Sequence, residues 1–444
     1  MEMAQDIVRR AGAAGASDAE CTISEGDEFG VNVRMREVES LKEAGSRGAG
    51  LRILIGKRTG SSYTSDLSLE GIERLVRSAI ELADITTEDP HAGLPEPEEL
   101  GKIEGDLGLY RPSVADLETA FKIEAARRTE EAALTADPRI SNSEGASFDS
   151  NLGRHVFVNS RGFAGEYRSS YCSLSTSPVA RDGESMERDY WYTMARDFAG
   201  LEPAESVGRT AAMRAVRRLK PVKLETRKVP VVFEPRTARS LLDNIFEAVH
   251  GMSIYRHESF LAGKLGEKVA HEDVTVIDDG TLPGLFGTSP FDDEGVPSRR
   301  TVVIEHGVLR NYLLNTYAAR KLGMKTTGNA ARGLAGNAGI GHGNFFLEKG
   351  VQTPEQILKG IRDGFYVTEL MGFGVNIVTG DYSRGAVGLW IRDGELAFPV
   401  SEVTIAGNLR DMLMGIEAVG GDLEFRGSMA APTLKIGEMT VGGK

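Results

Sequence analysis

Residues 389–400 read LWIRDGELAFPV, and how they fold decides the architecture of the chain. Leu389, Trp390 and Ile391 precede an Asp393-Gly394 pair; Leu396, Phe398 and Val400 follow it at alternate positions. Asp-Gly between two apolar runs fits a two-residue hairpin turn, in which both central residues take positive φ. The stretch IEHGVLRNYLL (304–314) repeats the signal around His306-Gly307. A chain that reverses within two residues pairs antiparallel, because a parallel pair needs a crossover of a dozen residues or more. Outward from these hairpins, helical and strand-like segments do not alternate as strict βαβ units. The expected class is α+β, with mixed or antiparallel sheets and helices: an N-terminal α/β unit plus a strand-rich C-terminal domain.

Three units follow from the patterning, with expected bounds 1–105, 106–224 and 225–444. The first opens with a short amphipathic helix. Phe29, Val31, Val33 and Met35 then alternate with Asn32, Arg34 and Arg36, and Leu51, Ile53 and Ile55 repeat the pattern after a Gly-rich turn. Ser68 is placed to cap a helix whose apolar face is Ile72, Leu75, Val76, Ala79, Ile80 and Ala83. The Pro-rich stretch EDPHAGLPEPEEL (88–100) reads as a linker. The second unit is expected to start its helix at Ser113, with Asp116 completing a weak capping box, and to run to Thr135. Short strands and a helix over 203–219 close it, and the strand KVPVVFE begins the third.

Glycine is abundant, at 53 of 444 residues, as a chain with many tight turns requires. The net charge of −13 discourages non-specific binding to nucleic acid. In MRAVRRLKPVKLETRK (213–228) seven of sixteen residues are basic, which reads as a helix C-terminus followed by a linker at Pro221. No aromatic residues interleave there, so no nucleic-acid partner is expected. No apolar run approaches a membrane span, the N-terminus has no signal-peptide core, and two cysteines make no disulfide framework. A cytoplasmic protein is expected.

The stretch with the most chemical promise is FEAVHGMSIYRHESF (246–260), at the end of a helix whose buried stripe is Leu242, Ile245, Phe246 and Val249. Zinc peptidases place His-Glu-x-x-His, or a longer His-Glu-x-x-x-His, at such a site; the imidazoles hold the metal and the glutamate acts on its water. Here Glu247 takes the glutamate position, but Phe246 stands where the first His belongs. Gly251 stands where the second would be in the longer motif, and reads as the C′ residue that ends the helix. His250 is one position early and reads as a helix-end cation. His257-Glu258 and His271-Glu272 lack a second His at either spacing. No metal site is expected in this chain.

Other clusters are weaker. GLAGNAGIGHGN (333–344) is neither a dinucleotide fingerprint nor a P-loop, and reads as a mobile loop or a close backbone approach. Asp278, Asp279, Asp292, Asp293 and Glu294 lack EF-hand spacing and read as turn chemistry. Cys172, in a strand-like run, reads as packing.

Four runs of the third unit carry a resemblance: YRHESFLAGKLGEKV, SPFDDEGVPSRRTVVIEHGVLRNYLLNTYAARKLGMKTTGN, TELMGFGVNIVTGDYSRGAVGLWI and FPVSEVTIAGNLRDML. They resemble the TldD/PmbA family and, within it, the PmbA branch, also called TldE. The first two units are compatible with that family but less diagnostic. The resemblance implies a two-subunit cytoplasmic metallopeptidase that acts on unfolded proteins or peptides. It implies that a TldD-like partner carries His-Glu-x-x-x-His and a later cysteine ligand, and hence the zinc. Phe246, Glu247 and Gly251 then sit at the positions of the ligand helix. FRGSMAAPTL (425–434) stands where the partner branch has its cysteine. A lone Glu247 without metal has no activated water to serve and reads as a helix-end carboxylate.

An enclosed groove that accepts varied chains must bind backbone, as strand addition does. The expectation is that TTGN (326–329), the Gly-rich segment after it and MGFGVN (371–376) line that groove, with Thr327, Gly328, Asn329, Gly372 and Gly374 facing the peptide. The alternative is that these glycines serve turns and packing alone. Two rival functions stay open: a peptide-binding or regulatory homodimer outside proteolysis, and a self-sufficient hydrolase with an unrecognised site. Direct action on DNA or gyrase, an older label of the family, is disfavoured by the acidic charge.

Overall fold

Met35 and Arg36 both take positive φ, 48° and 72°, and this tight turn joins β1 (Asp18–Arg34) to β2 (Glu37–Ile55). The computed structural model describes residues 1–443. β1 and β2 are far longer than the usual strand, and Gly45–Gly50 lie inside β2, paired with β1. The Gly-rich turn expected there is therefore strand, and Met35 is an exposed turn residue rather than a core position. Phe29, Val31 and Val33 are buried as expected.

With β3 (Arg58–Thr64), β4 (Ile140–Asn159), β5 (Ala164–Asp182), β6 (Ser185–Arg188) and β7 (Trp191–Ala195), these strands form one antiparallel sheet ordered β3-β2-β1-β4-β5-β6, with β7 also on β5. Two of the strands expected to be short in the second unit, β4 and β5, are thus long, while β7 is short as expected, and all continue the sheet of the first. Side chains alternate along a strand, so Cys21, Ile23, Phe29, Val31 and Val33 share one face. At one end that face meets α1 (Glu2–Ala13) and α2 (Leu69–Ile85); at the other it meets α3 (Thr119–Leu134), with α4 (Ala204–Val216) beside it. Ser68 caps α2 by accepting from the Gly71 amide at 3.2 Å. The Ser113 start fails: Pro112–Val114 is a single 3-10 turn, and α3 begins only at Thr119.

The third unit holds two sheets. β9 (Val276–Asp279), β10 (Arg300–Glu305), β11 (Val308–Leu309), β14 (Asn344–Leu347) and β19 (Met429–Ala430) are ordered β11-β10-β9-β14-β19, beside a ribbon of β12 (Ala330–Ala331) and β13 (Gly339–Ile340). The other sheet contains β8 (Arg227–Phe233), β15 (Asp363–Met371), β16 (Asp381–Arg392), β17 (Glu395–Asn408), β18 (Ile416–Val419) and β20 (Leu434–Gly442). Its order is β17-β16-β15-β8-β20-β18, and β17 also pairs with β20. The ring β17-β16-β15-β8-β20 therefore closes on itself as a small barrel, which removes open strand edges. Both expected hairpins exist, turning at Asp393-Gly394 and His306-Gly307, all four at positive φ. β8–β15 and β14–β19 are parallel pairs among antiparallel ones, so the fold is α+β with mixed sheets. Phe233, Phe365 and Trp390 share a core with Leu241, Leu242 and Ile245 of α5 (Pro235–Val249). Burying each phenylalanine contributes about 1.5–3 kcal/mol. No described helix is long and apolar enough to cross a membrane.

Candidate functional site

Helix α5 presents its last turn at the surface. Leu241, Leu242, Ile245, Ala248 and Val249 are buried, which leaves Phe246 half-buried and Glu247 exposed. The Phe246 ring meets His342 edge-on at 5.0 Å, His250 at 5.9 Å and Phe345 at 6.0 Å. Burial pushes the His250 imidazole below its ordinary pKa, with Glu247 opposing, and its Nδ1 is buried without a hydrogen-bond partner. His250 is therefore neutral near pH 7, not the helix-end cation expected. Gly251 is not a left-handed C′ residue either. It begins α6 (Gly251–Tyr255), and a Cβ on it would lie 2.5 Å from Leu314 and 3.0 Å from Ala318 of α7 (Thr316–Leu322). The glycine permits the close approach of two helices.

His342 also lines a cleft of about 230 Å³ with Asp278, Asp292, Gly328, Asn329 and Tyr167 of β5. Asn329 donates to Asp278 at 2.6 Å and to the Gly341 carbonyl at 3.1 Å; the Gly343 amide donates to Asp278 at 2.7 Å. Thr327 donates to the Asn329 side chain at 2.7 Å, fixing the amide orientation. Gly328 needs its φ of +73°, and a Cβ there would lie 2.9 Å from the Pro297 carbonyl. Asp292 accepts from the amides of Glu294, Val296 and Ala330, each at 2.9 Å. Burial raises the Asp278 carboxyl to about 7. Burial and the neighbouring Glu294 charge raise Asp292 to about 8. These acids organise loops around the cleft by capping backbone amides, as turn chemistry does.

The Gly-rich segment is clamped rather than loose. Gly50 of β2 has no room for a Cβ, which would fall 1.5 Å from the Leu334 carbonyl oxygen. Arg332 donates to Glu20 and, at 3.2 Å, to Thr22; Arg52 donates to Glu20 at 2.8 Å and to Asn337 at 2.8 Å. Gly343 similarly passes close to the backbone of Gly280. Of the two readings of residues 333–344, close backbone approach is the one the structure supports.

Comparison with known proteins decides the family. Residues 226–443, 112–219 and 19–83 match the models for the PmbA/TldA metallopeptidase C-terminal domain, central domain and domain 1. The chain is 40% identical over 433 residues to Metalloprotease PmbA of Escherichia coli O157:H7, covering 97% of this chain and 94% of that protein. This chain belongs to the PmbA/TldD family. A PmbA homologue of Haemophilus influenzae is 37% identical over 97% of this chain and 93% of its own length. Among solved structures, a Bacteroides thetaiotaomicron protein aligns with a TM-score of 0.93 at 28% identity, covering 100% of this chain and 98% of that one. TldE from Thermococcus kodakarensis shares the fold, with a TM-score of 0.89 at 22% identity over 99% of this chain and 100% of that chain.

A PmbA/TldD metallopeptidase implies a metal, and the residues at this helix end do not fit one. Phe246 and Gly251 offer no side chain that could ligate a metal. Among the described residues no three His, Cys, Asp or Glu side chains form a group that could hold a metal ion. Cys21 and Cys172 are buried in the cores of the first sheet. Of the residues expected to face a peptide, Gly328 and Asn329 line the cleft, and Thr327 positions Asn329 from behind. Gly372 and Gly374 do not line it. They flank the fully exposed Phe373 on the β15–β16 connection, where a Cβ on Gly374 would meet the Ser383 carbonyl at 2.1 Å. Sequence reasoning missed Glu20 and Arg332, which lie over three hundred positions apart and join only through the tertiary fold.

Proposed function

We propose that this chain is the PmbA/TldE-type subunit of a two-subunit cytoplasmic metallopeptidase. It handles unfolded protein or peptide, while a TldD-like partner holds the zinc and makes the cut. The observation that carries the reading is the Phe246 ring, packed against His250, His342 and Phe345 where a ligand would stand. Glu247 then has no metal-bound water to act on, and its work is that of an exposed helix-end carboxylate. The cleft at Gly328 and Asn329 supports a peptide-handling role, since five glycines and the Asn329 amide lie among its acidic and aromatic lining residues. Glycines at a cleft wall let a peptide backbone approach closely.

The test is metal content and peptidase activity of the purified chain, alone and mixed with a TldD-family partner. The expected result is well under one metal per chain, no activity alone, and chelator-sensitive activity in the mixture. One tightly held zinc per chain with chelator-sensitive activity alone would overturn the assignment.

A further inference from the structure

At the opposite end of α5 from Glu247 lies a recess of about 120 Å³, walled by Trp191 and Tyr192 of β7, by Tyr190 just before them and by residues of the segment 424–431. At ~10–15 Å³ per water it holds several waters, or a carboxylate with a small side chain. Its cations are unevenly engaged. Arg214 is tied to Glu234 at 2.6 Å, and Arg426 to Glu202 at 2.8 Å and Glu424 at 2.9 Å. Arg236 lies over the Tyr190 ring at 4.0 Å, donates from Nη1 to the Tyr190 carbonyl at 2.9 Å, reaches Asp189 and Glu234 at 3.6 and 3.9 Å, and keeps a buried Nε without an acceptor. Arg239, exposed at the mouth, has no hydrogen bond and no carboxylate within 4.0 Å among the described residues. Trp191, Met429, Ala430 and Ala431 form the apolar side.

We propose that this recess binds the C-terminal carboxylate of a peptide, with Arg239 and Arg236 on the carboxylate and the last side chain against Trp191, Met429 and Ala430. The Arg239 guanidinium, which no carboxylate holds, and the Arg236 Nε without an acceptor suit a planar carboxylate, and the N-terminal dipole of α5 adds to their field. The apolar wall favours a peptide end over a bare inorganic anion, which would leave that wall unused. The ligand class rests on the peptide-handling reading. Binding is read on this chain alone, so its failure is distinct from failure of the partner-dependent activity.

Trp191 provides the signal, because the only other tryptophan, Trp390, is buried in the barrel core. The probes are N-acetyl-Ala-Ala-Ala with a free terminal carboxylate and the same peptide as its C-terminal amide. The acid is expected to change the emission of the full chain saturably, and the amide to bind about tenfold or more weakly. Arg239→Ala should weaken the acid by a similar factor at unchanged Tm, and Trp191→Phe should abolish the signal. Equal binding of acid and amide, no binding of either, or full affinity in Arg239→Ala overturns the proposal.

Discussion

Glu20 shows how much one side chain decides here. Burial alone would raise its pKa, but the guanidiniums of Arg332 and Arg52 outweigh that and hold it down. Glu20→Ala leaves two buried cations facing each other, and should cost about 3–5 kcal/mol in urea unfolding. A lowered carboxylate stabilises the fold above its unfolded pKa and loses that contribution as pH falls. Asp278 and Asp292, raised to about 7 and about 8, act in the opposite sense. Their contribution is complete below the ordinary carboxylate range and is lost progressively from there up to about pH 7 and 8, by up to about 1.4 kcal/mol per unit for each group, with no further loss above. Tm should therefore fall on the acid side as Glu20 protonates and again as pH rises from about 5 to 8, and Asp278→Asn should flatten that second fall in a scan from about pH 4 to 9. The helix end around Phe246 was legible from apolar spacing alone, and α5 does end at Val249. The buried acids were legible only as turn residues, because sequence carries no measure of burial. The basic run at 213–228 does hold the helix end that was expected, with α4 stopping at Val216, but the burial of its cations was not legible: Arg214 and Arg218 are paired with Glu234 and Glu369.

At the scale of elements, the X-Gly turns of the third unit were readable because two-residue hairpins restrict both the residue types and the flanking pattern. The length of β2 was not. Its outer half, Glu37 to Ser46, is largely exposed and polar, so it shows no apolar alternation, and its glycines imitate a turn. One of those glycines has a tertiary purpose that no local pattern reveals. Gly50 yields its side-chain volume to the Leu334 carbonyl, and the segment 333–337 lies across the sheet there. Gly50→Ala should displace that segment. The expected outcome is a Tm loss together with new proteolytic cleavage between residues 332 and 340. An unchanged digestion pattern would mean that the ion pairs of Arg332 hold the segment without help from the sheet.

For the whole molecule, the class was legible and the closure was not, because β17–β20 pairing joins strands whose sequences signal only that they are strands. Removing residues 434–443 should open the ring and abolish the cooperative thermal transition of the third unit, while α1 to α4 keep their cores on the first sheet. The same closure bears on how the protein is made. β8 lies between β15 and β20, yet roughly 200 residues separate its start from that of β20. At ~5–20 residues per second, a ribosome takes about 10–40 s to deliver the second neighbour after the first strand emerges. For that interval one edge of Val229–Phe233 is open to any extended chain nearby. The nascent polypeptide is at its greatest need of a chaperone just when most of its length has already been synthesised.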